Sequence, residues 1–192
     1  MTKGSLIFNF SVMNAGKTNK LLEKAFTYEN IGKKILLMKP SIDVRDTFIS
    51  SRNGLKRECI LIDETQTVLE AIGDKDFDIL LIDECQFLTK KQVKELRKIS
   101  TKLRKIVFCF GLKNNFKGKL FKASKILLSL CDILEESTTL CHCGNKATMI
   151  LKYDNKTKEV IKKGEEIDCG YEDKYLSVCY KHWKKGDLGI FS

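Results

Sequence analysis

The stretch Ser11-Val12-Met13-Asn14-Ala15-Gly16-Lys17-Thr18 constrains this chain more than any other. The apolar run Leu6-Ile7-Phe8 leads into it, and an amphipathic segment from Leu21 to Ile31 leaves it. Strand, small-residue loop, Gly-Lys-Thr and helix is the layout of a phosphate-binding P-loop. Free backbone N–H groups at a helix N-terminus, with the positive end of the helix dipole, attract a multiply charged anion. Lys17 is then placed to reach the β- and γ-phosphates, and the Thr18 hydroxyl to ligate Mg²⁺. Ser11 stands where the usual pattern G-x-x-x-x-G-K-[ST] opens on Gly. On their own these residues also fit an ordinary strand-to-helix turn.

The rest of the first two thirds alternates. Ser5–Phe10, Lys34–Met38, Cys59–Ile62, Asp78–Asp83, Lys105–Phe110 and Ile133–Glu135 read as strands. Helices are expected over Lys17–Ile31, Thr65–Ile72, Lys91–Ser100 and Leu120–Leu130. Leu21, Leu22, Ala25, Phe26 and Ile31 fall on the apolar side of the first helix, which Gly32 closes. Leu120, Phe121, Ile126, Leu127 and Leu130 are available to the core from the last. This alternation predicts an α/β fold, a mostly parallel RecA-like P-loop sheet with helices on both faces. The stretch 41–57 has no periodicity and reads as a long loop. Its Asp43, Arg45, Asp46 and Arg52 follow a strand end, where the nucleotide crevice of such folds lies. The pattern stops near Ser137. Residues 1–138 are therefore expected to form the nucleotide-binding domain, and 139–192 a small second unit.

Ile79-Leu80-Leu81-Ile82-Asp83-Glu84 has the form of a Walker B strand. Asp83 at its end is placed to hold Mg²⁺ beside the P-loop. Glu84 can accept a proton from an attacking water or hydroxyl. Water makes the protein an NTPase; a substrate hydroxyl makes it a kinase. The chain lacks a guanine-reading Asn-Lys-x-Asp run, which argues against a GTPase.

Eight cysteines are present. Cys59, Cys85, Cys109 and Cys131 sit among apolar residues and read as small core residues. Cys141, Cys143, Cys179 and His182 form two knuckles, with 36 positions from Cys143 to Cys179. Three thiolates and one imidazole make a closed tetrahedral set, which implies structural rather than catalytic Zn²⁺. His142 and Cys169 are rival ligands, and free thiols are the alternative. No apolar run approaches a membrane span and no secretory signal is visible, so a cytoplasmic protein without disulfides is expected. The net charge is +10, but the lysines are spread and interleaved with acids, the pattern of a Lys-rich surface rather than a nucleic-acid footprint.

Together these motifs resemble the type II thymidine kinase family. Ser11 to Thr18 is similar to its P-loop, including a Ser-first bacterial form, and Asp83-Glu84-Cys85-Gln86-Phe87 to its catalytic segment. Phe110 to Gly118 resembles the segment behind its base pocket. Cys141 to Gly144 with Lys174-Tyr175-Leu176-Ser177-Val178-Cys179 and His182 resembles its zinc-held lasso. The resemblance implies ATP-dependent phosphorylation of the thymidine 5′-hydroxyl, and of deoxyuridine, with Glu84 as general base. ATP and Mg²⁺ would lie on Ser11 to Thr18, Asp83 and Gln86, with Arg45 reaching the phosphates. Met13, Phe87, Leu112, Phe116, Phe121, Lys174 and Tyr175 would enclose the nucleoside. It further implies a homotetramer inhibited by thymidine triphosphate. One departure is Gly170-Tyr171 where the family usually has Gly-Gly. The competing readings are a P-loop ATPase whose zinc unit acts on nucleic acid, and a nucleotide sensor without catalysis.

Overall fold

The computed structural model describes residues 4–41, 47–164 and 175–189. The chain runs β1 (Ser5–Ser11), α1 (Lys17–Glu29), β2 (Ile35–Pro40), β3 (Phe48–Ser50), β4 (Lys56–Glu58), β5 (Ile60–Ile62), α2 (Val68–Ile72) and β6 (Ile79–Ile82). A single 3₁₀ turn (Cys85–Phe87), α3 (Lys90–Lys102), β7 (Ile106–Leu112), α4 (Lys122–Leu130) and β8 (Ile133–Glu136) follow. Then come β9 (Met149–Tyr153), β10 (Val160–Ile161), β11 (Tyr175–Val178) and α5 (Tyr180–Lys185).

Six strands make one sheet in the order β5-β2-β6-β7-β1-β8, every pair parallel. Side chains alternate across it, as the two-residue period of a strand requires. Leu6, Phe8, Met38, Leu80, Ile82, Val107 and Cys109 meet Val68 and Ile72 of α2, Val93, Leu96 and Ile99 of α3, and Ala123 and Leu127 of α4. On the other face Ile7, Leu37, Ile79, Leu81, Phe108 and Phe110 meet Leu21, Leu22 and Ala25 of α1. The expected parallel sheet with helices on both faces is thus present. β6 is central and all four of its residues are buried, which explains its uninterrupted apolar run. α2 and α3 begin on capping boxes, Thr67 with Glu70 and Thr89 with Gln92.

Three expectations fail locally. Phe26 is 62% exposed and Ile31 64%. Phe26 stands about 90° from the centre of the Leu21/Leu22/Ala25 stripe, and Ile31 lies beyond the helix end at Glu29. Leu120 precedes α4 and is exposed rather than in the core. The stretch 41–57 contains an antiparallel hairpin, β3 with β4, where an aperiodic loop was expected. The hairpin turns at Gly54, with φ 84°, and is closed by Ser51 N–H on the Leu55 carbonyl at 2.8 Å. Ile49 buries into the α1-side core, and Arg57 grips Glu29 of α1 through both carboxylate oxygens, at 2.9 and 2.6 Å.

The last strands form a separate antiparallel sheet, β10-β9-β11. Its buried apolar residues come from both faces, Leu151 and Val178 from one and Ile150 from the other. They join Val12 of the P-loop, Leu112 at the end of β7, and Phe116 and Phe121 of the β7–α4 connection in one cluster. Among the described residues no helix is long and apolar enough to cross a membrane.

Candidate active site

The P-loop reverses the chain between β1 and α1 with two left-handed residues, Asn14 (φ 58°) and Gly16 (φ 71°). Space around Gly16 is open, so its backbone conformation and not crowding is what favours glycine there. Ser11 is buried and its hydroxyl donates to the Val12 carbonyl at 2.6 Å. A side chain in place of the usual first Gly is therefore accommodated inside the loop. Lys17 is buried although charged. Thr18 Oγ1 donates to Asp83 Oδ2 at 3.0 Å, bringing the hydroxyl of the P-loop to the end of β6.

Asp83 is an electrostatic misfit without a further cation. Burial, then the neighbouring Glu84 charge, push its pKa up to about 7 against the opposing pull of Lys17 and Thr18. Thr18 and Asp83 would hold a divalent cation, which would supply the missing positive charge, so the donor set fits Mg²⁺.

Glu84 is left-handed, at φ 50°. Such a conformation costs of order 1–3 kcal/mol and persists only where the surroundings impose it. Here the Glu84 N–H donates to Asp83 Oδ1 at 3.0 Å and its carbonyl accepts the Phe87 N–H at 3.1 Å, while its side chain is held by Gln86. Its amide nitrogen donates to Glu84 Oε2, and its amide oxygen accepts the Leu112 N–H at 2.9 Å. Gly111 allows this approach: a Cβ there would lie 2.5 Å from Gln86 Oε1 and 2.6 Å from Cys85 Sγ.

A cleft of about 300 Å³ opens above these groups, lined by Met13 to Asn19, Ser50 to Asn53, Glu84 and Leu112. The tip of the β3–β4 hairpin forms one wall, and Arg52 Nη2 donates to Asn14 Oδ1 at 2.7 Å. Ser51 Oγ and Asn19 Oδ1, both in lining residues, are buried without a hydrogen-bond partner among the described residues. Behind the cleft Met13, Phe87, Leu112, Phe116, Phe121 and Tyr175 fall in a single apolar cluster. Phe87 meets Phe121 edge-on at 5.9 Å, and Phe116 lies 6.5 Å from Tyr175. Ser177 Oγ of β11 donates to the Met13 carbonyl at 2.6 Å, tying the small sheet to the P-loop.

The second set of chemistry-bearing side chains is Cys141, Cys143, Cys179 and His182, whose ligand atoms all lie within 4.8 Å of one another. Cys141 and Cys143 sit on a turn closed by Gly144 N–H on the Cys141 carbonyl at 2.8 Å. Cys179 follows β11, and His182 is in α5 with Nδ1 3.2 Å from Cys141 Sγ and 3.5 Å from Cys179 Sγ. Hydrogen bonds from Asn145 hold the Cys143 thiol down to about 7, which favours the thiolate; burial pushes Cys141 up. Three sulfurs and a nitrogen so placed can hold a metal ion, and this donor set suits zinc. His142 stacks on His182 at 4.3 Å and belongs to a different group, with His182 and Asp187.

The chain matches the family model "Thymidine kinase" over residues 4–183. Proteins called thymidine kinase are similar almost end to end. The one from Photobacterium profundum is 39% identical over 188 residues, 94% of this chain and 96% of that one. The one from Yersinia pestis is 40% identical over 186 residues, 94% of each. The one from Streptococcus agalactiae serotype V is 38% identical over 189 residues, 95% of this chain and 98% of that one. The chain belongs to the thymidine kinase family. Among solved structures, the ATPase DotB of Legionella pneumophila has a TM-score of 0.40 and 10% identity, over 76% of this chain and 44% of that one.

In this member of the thymidine kinase family the residues singled out in the sequence gather in two places. Met13 to Thr18 and Glu84 line the cleft, Asp83 and Gln86 bond to its lining residues Thr18 and Glu84, Ser11 lies buried beside Val12, and the six apolar positions fall in one cluster with Val12. Arg45 and Lys174 lie outside the described residues, as do Cys169, Gly170 and Tyr171. Arg52, expected with the other charged residues of 41–57 near the nucleotide crevice, lines the cleft. Ser177 and Gly111 were missed as site residues.

Proposed function

We propose that this protein transfers the γ-phosphoryl group of ATP to the 5′-hydroxyl of thymidine, with deoxyuridine as a second acceptor, in cytoplasmic deoxynucleotide salvage. The observation that carries the reading is the position of Glu84. It lies between a phosphate cradle and an apolar aromatic cluster, clamped by Gln86.

In this reading the P-loop N–H groups and Lys17 hold the β- and γ-phosphates. Thr18 and Asp83 would hold Mg²⁺, which would supply positive charge for the phosphoryl oxygens. Arg52 closes over the triphosphate from the hairpin, and Arg45 reaches it from the preceding segment. Met13, Phe87, Leu112, Phe116, Phe121 and Tyr175 enclose the nucleoside, with Lys174 at the base edge. Glu84 takes the proton of the 5′-hydroxyl as the oxygen attacks the γ-phosphorus, the bond from that phosphorus to the β-phosphate oxygen breaks, and ADP leaves. Phosphoryl transfer depends on positioning and electrostatics more than on covalent chemistry, and this site is built for positioning. Residues 139–192 act as a lasso over the nucleoside, stapled by zinc on Cys141, Cys143, Cys179 and His182. A closed lasso excludes water and so limits ATP hydrolysis. The assembly is a homotetramer, and thymidine triphosphate inhibits it by occupying the nucleoside and phosphate sites together.

The test is ATP consumption by the purified protein with and without thymidine, with thymidine 5′-monophosphate identified as product. The reading expects turnover that requires the nucleoside. Turnover that ignores thymidine but rises with single-stranded DNA would instead mark a nucleic-acid-dependent ATPase.

A further inference from the structure

Lys152 is only 7% exposed. Lysine is seldom so buried unless its charge is compensated. It sits on β9, the central strand of the small sheet, directly opposite Tyr175 of β11 and Ile161 of β10. Opposed residues of an antiparallel pair share a face. Its ammonium lies 5.4 Å from the centroid of the Phe116 ring and 5.7 Å from that of Tyr175. The two rings come from different parts of the chain. Phe116 belongs to the loop after β7, and Tyr175 opens β11.

We infer that Lys152 is a positioning residue of the nucleoside pocket, its ammonium holding the Phe116 and Tyr175 rings in their mutual orientation. The inference rests on the proposed reading of those rings as pocket walls. An ammonium near a ring face is attracted by the ring quadrupole, and the attraction grows when water is excluded. Here one cation serves two rings, so moving either ring loses part of the attraction. The aliphatic stem packs against the same surfaces. Lys117 also stands near Phe116, at 5.6 Å, but among the described residues it makes no cation–ring contact with Tyr175. Beyond Tyr175, β11 carries Ser177, which bonds the Met13 carbonyl. Lys152 therefore sets a ring wall, and through β11 the docking of the small sheet on the P-loop. Lys17, Thr18, Asp83 and Glu84 lie in another part of the site, so the effect should fall on nucleoside binding.

Two variants separate charge from shape. Lys152→Met keeps the length and apolar stem and removes the charge; Lys152→Arg keeps the charge. Each is measured by calorimetric titration with thymidine in the absence of ATP, and by steady-state kinetics on the full chain. Lys152→Met should weaken thymidine binding and raise its KM about tenfold, within the range that desolvated cation–π contacts span. The KM for ATP and kcat should stay within twofold. Lys152→Arg should recover thymidine binding to within about threefold of wild type. Wild-type thymidine binding in Lys152→Met, equal damage in both variants, or a loss of kcat at unchanged KM each overturns the inference. Should the wild type itself fail to bind thymidine, the pocket reading falls and takes this inference with it; turnover by the wild type with an unaltered Lys152→Met overturns the inference alone.

Discussion

The side chain of Gln86 donates to the carboxylate of Glu84, a residue in a left-handed conformation at the mouth of the cleft. Gln86 is itself held, since its amide oxygen takes the Leu112 N–H at 2.9 Å. The segment after β6 is thus aimed by the end of β7, the strand that lies between β6 and the P-loop strand β1. Gln86→Ala should release Glu84 and leave the Leu112 N–H without its acceptor. We expect kcat to fall about 10- to 100-fold, the scale of a misplaced reacting group, with the KM for ATP nearly unchanged. Steady-state kinetics at saturating thymidine checks this.

Asp83 makes the nucleotide-free protein pH-sensitive. Its pKa is raised in the folded state, from 3.8 to about 7. The folded state therefore binds the proton more tightly than the unfolded chain. The stabilisation from that proton is full below about pH 3.8 and gone above about pH 7. Across that window stability should fall with rising pH by at most about 1.4 kcal/mol per unit. Asp83→Asn should remove this slope, unfold at a higher temperature than wild type at pH 8, and transfer no phosphoryl group. Thermal unfolding from pH 5 to 8 without nucleotide tests it; a lower midpoint for the variant at pH 8 would show that the carboxylate is not strained.

Arg52 bridges the hairpin tip to Asn14 of the P-loop at 2.7 Å. Exposed charged contacts are individually modest. Arg52→Ala should therefore raise the KM for ATP only about three- to tenfold and leave that for thymidine within twofold. An equal rise in both would place Arg52 in general loop stability instead.

His182 directs Nδ1 at the sulfurs, and its Nε2 lies 3.8 Å from Asp187 Oδ2. A carboxylate behind a ligating imidazole fixes its orientation, and losing one typically costs about 10- to 100-fold in metal affinity. Asp187→Ala should release zinc to a chromophoric chelator at least about tenfold faster than wild type. Cys179 follows β11 immediately, so full metal removal should weaken thymidine binding more than ATP binding. Metal content and the two binding constants, measured before and after chelation, decide this.

What was legible in the sequence follows from burial. β6 could be read because a strand covered on both faces is apolar throughout. The P-loop and the Cys/His knuckles could be read because their chemistry demands fixed spacings. The β3–β4 hairpin offered only its Asn53-Gly54 turn: its strands have three residues each, and Lys56-Arg57-Glu58 carries no apolar alternation. Phe26 was placed in the core because a helical stripe has no sharp edge in sequence. Lys152, Ser177 and Asp187 were invisible for another reason. A polar residue within a strand or beyond a helix end gives no sign of its partner, and Ser177 finds its own 164 positions away.

The central claim is that Glu84 removes the proton from the thymidine 5′-hydroxyl. Glu84→Gln keeps the size and the hydrogen-bonding reach of the side chain and removes the base. The measurement is kcat of this variant for thymidine phosphorylation, alongside calorimetric binding of thymidine and ATP. The account predicts both ligands bound as in wild type and kcat reduced at least about 10²-fold. A rate within a fewfold of wild type, with binding intact, would contradict it.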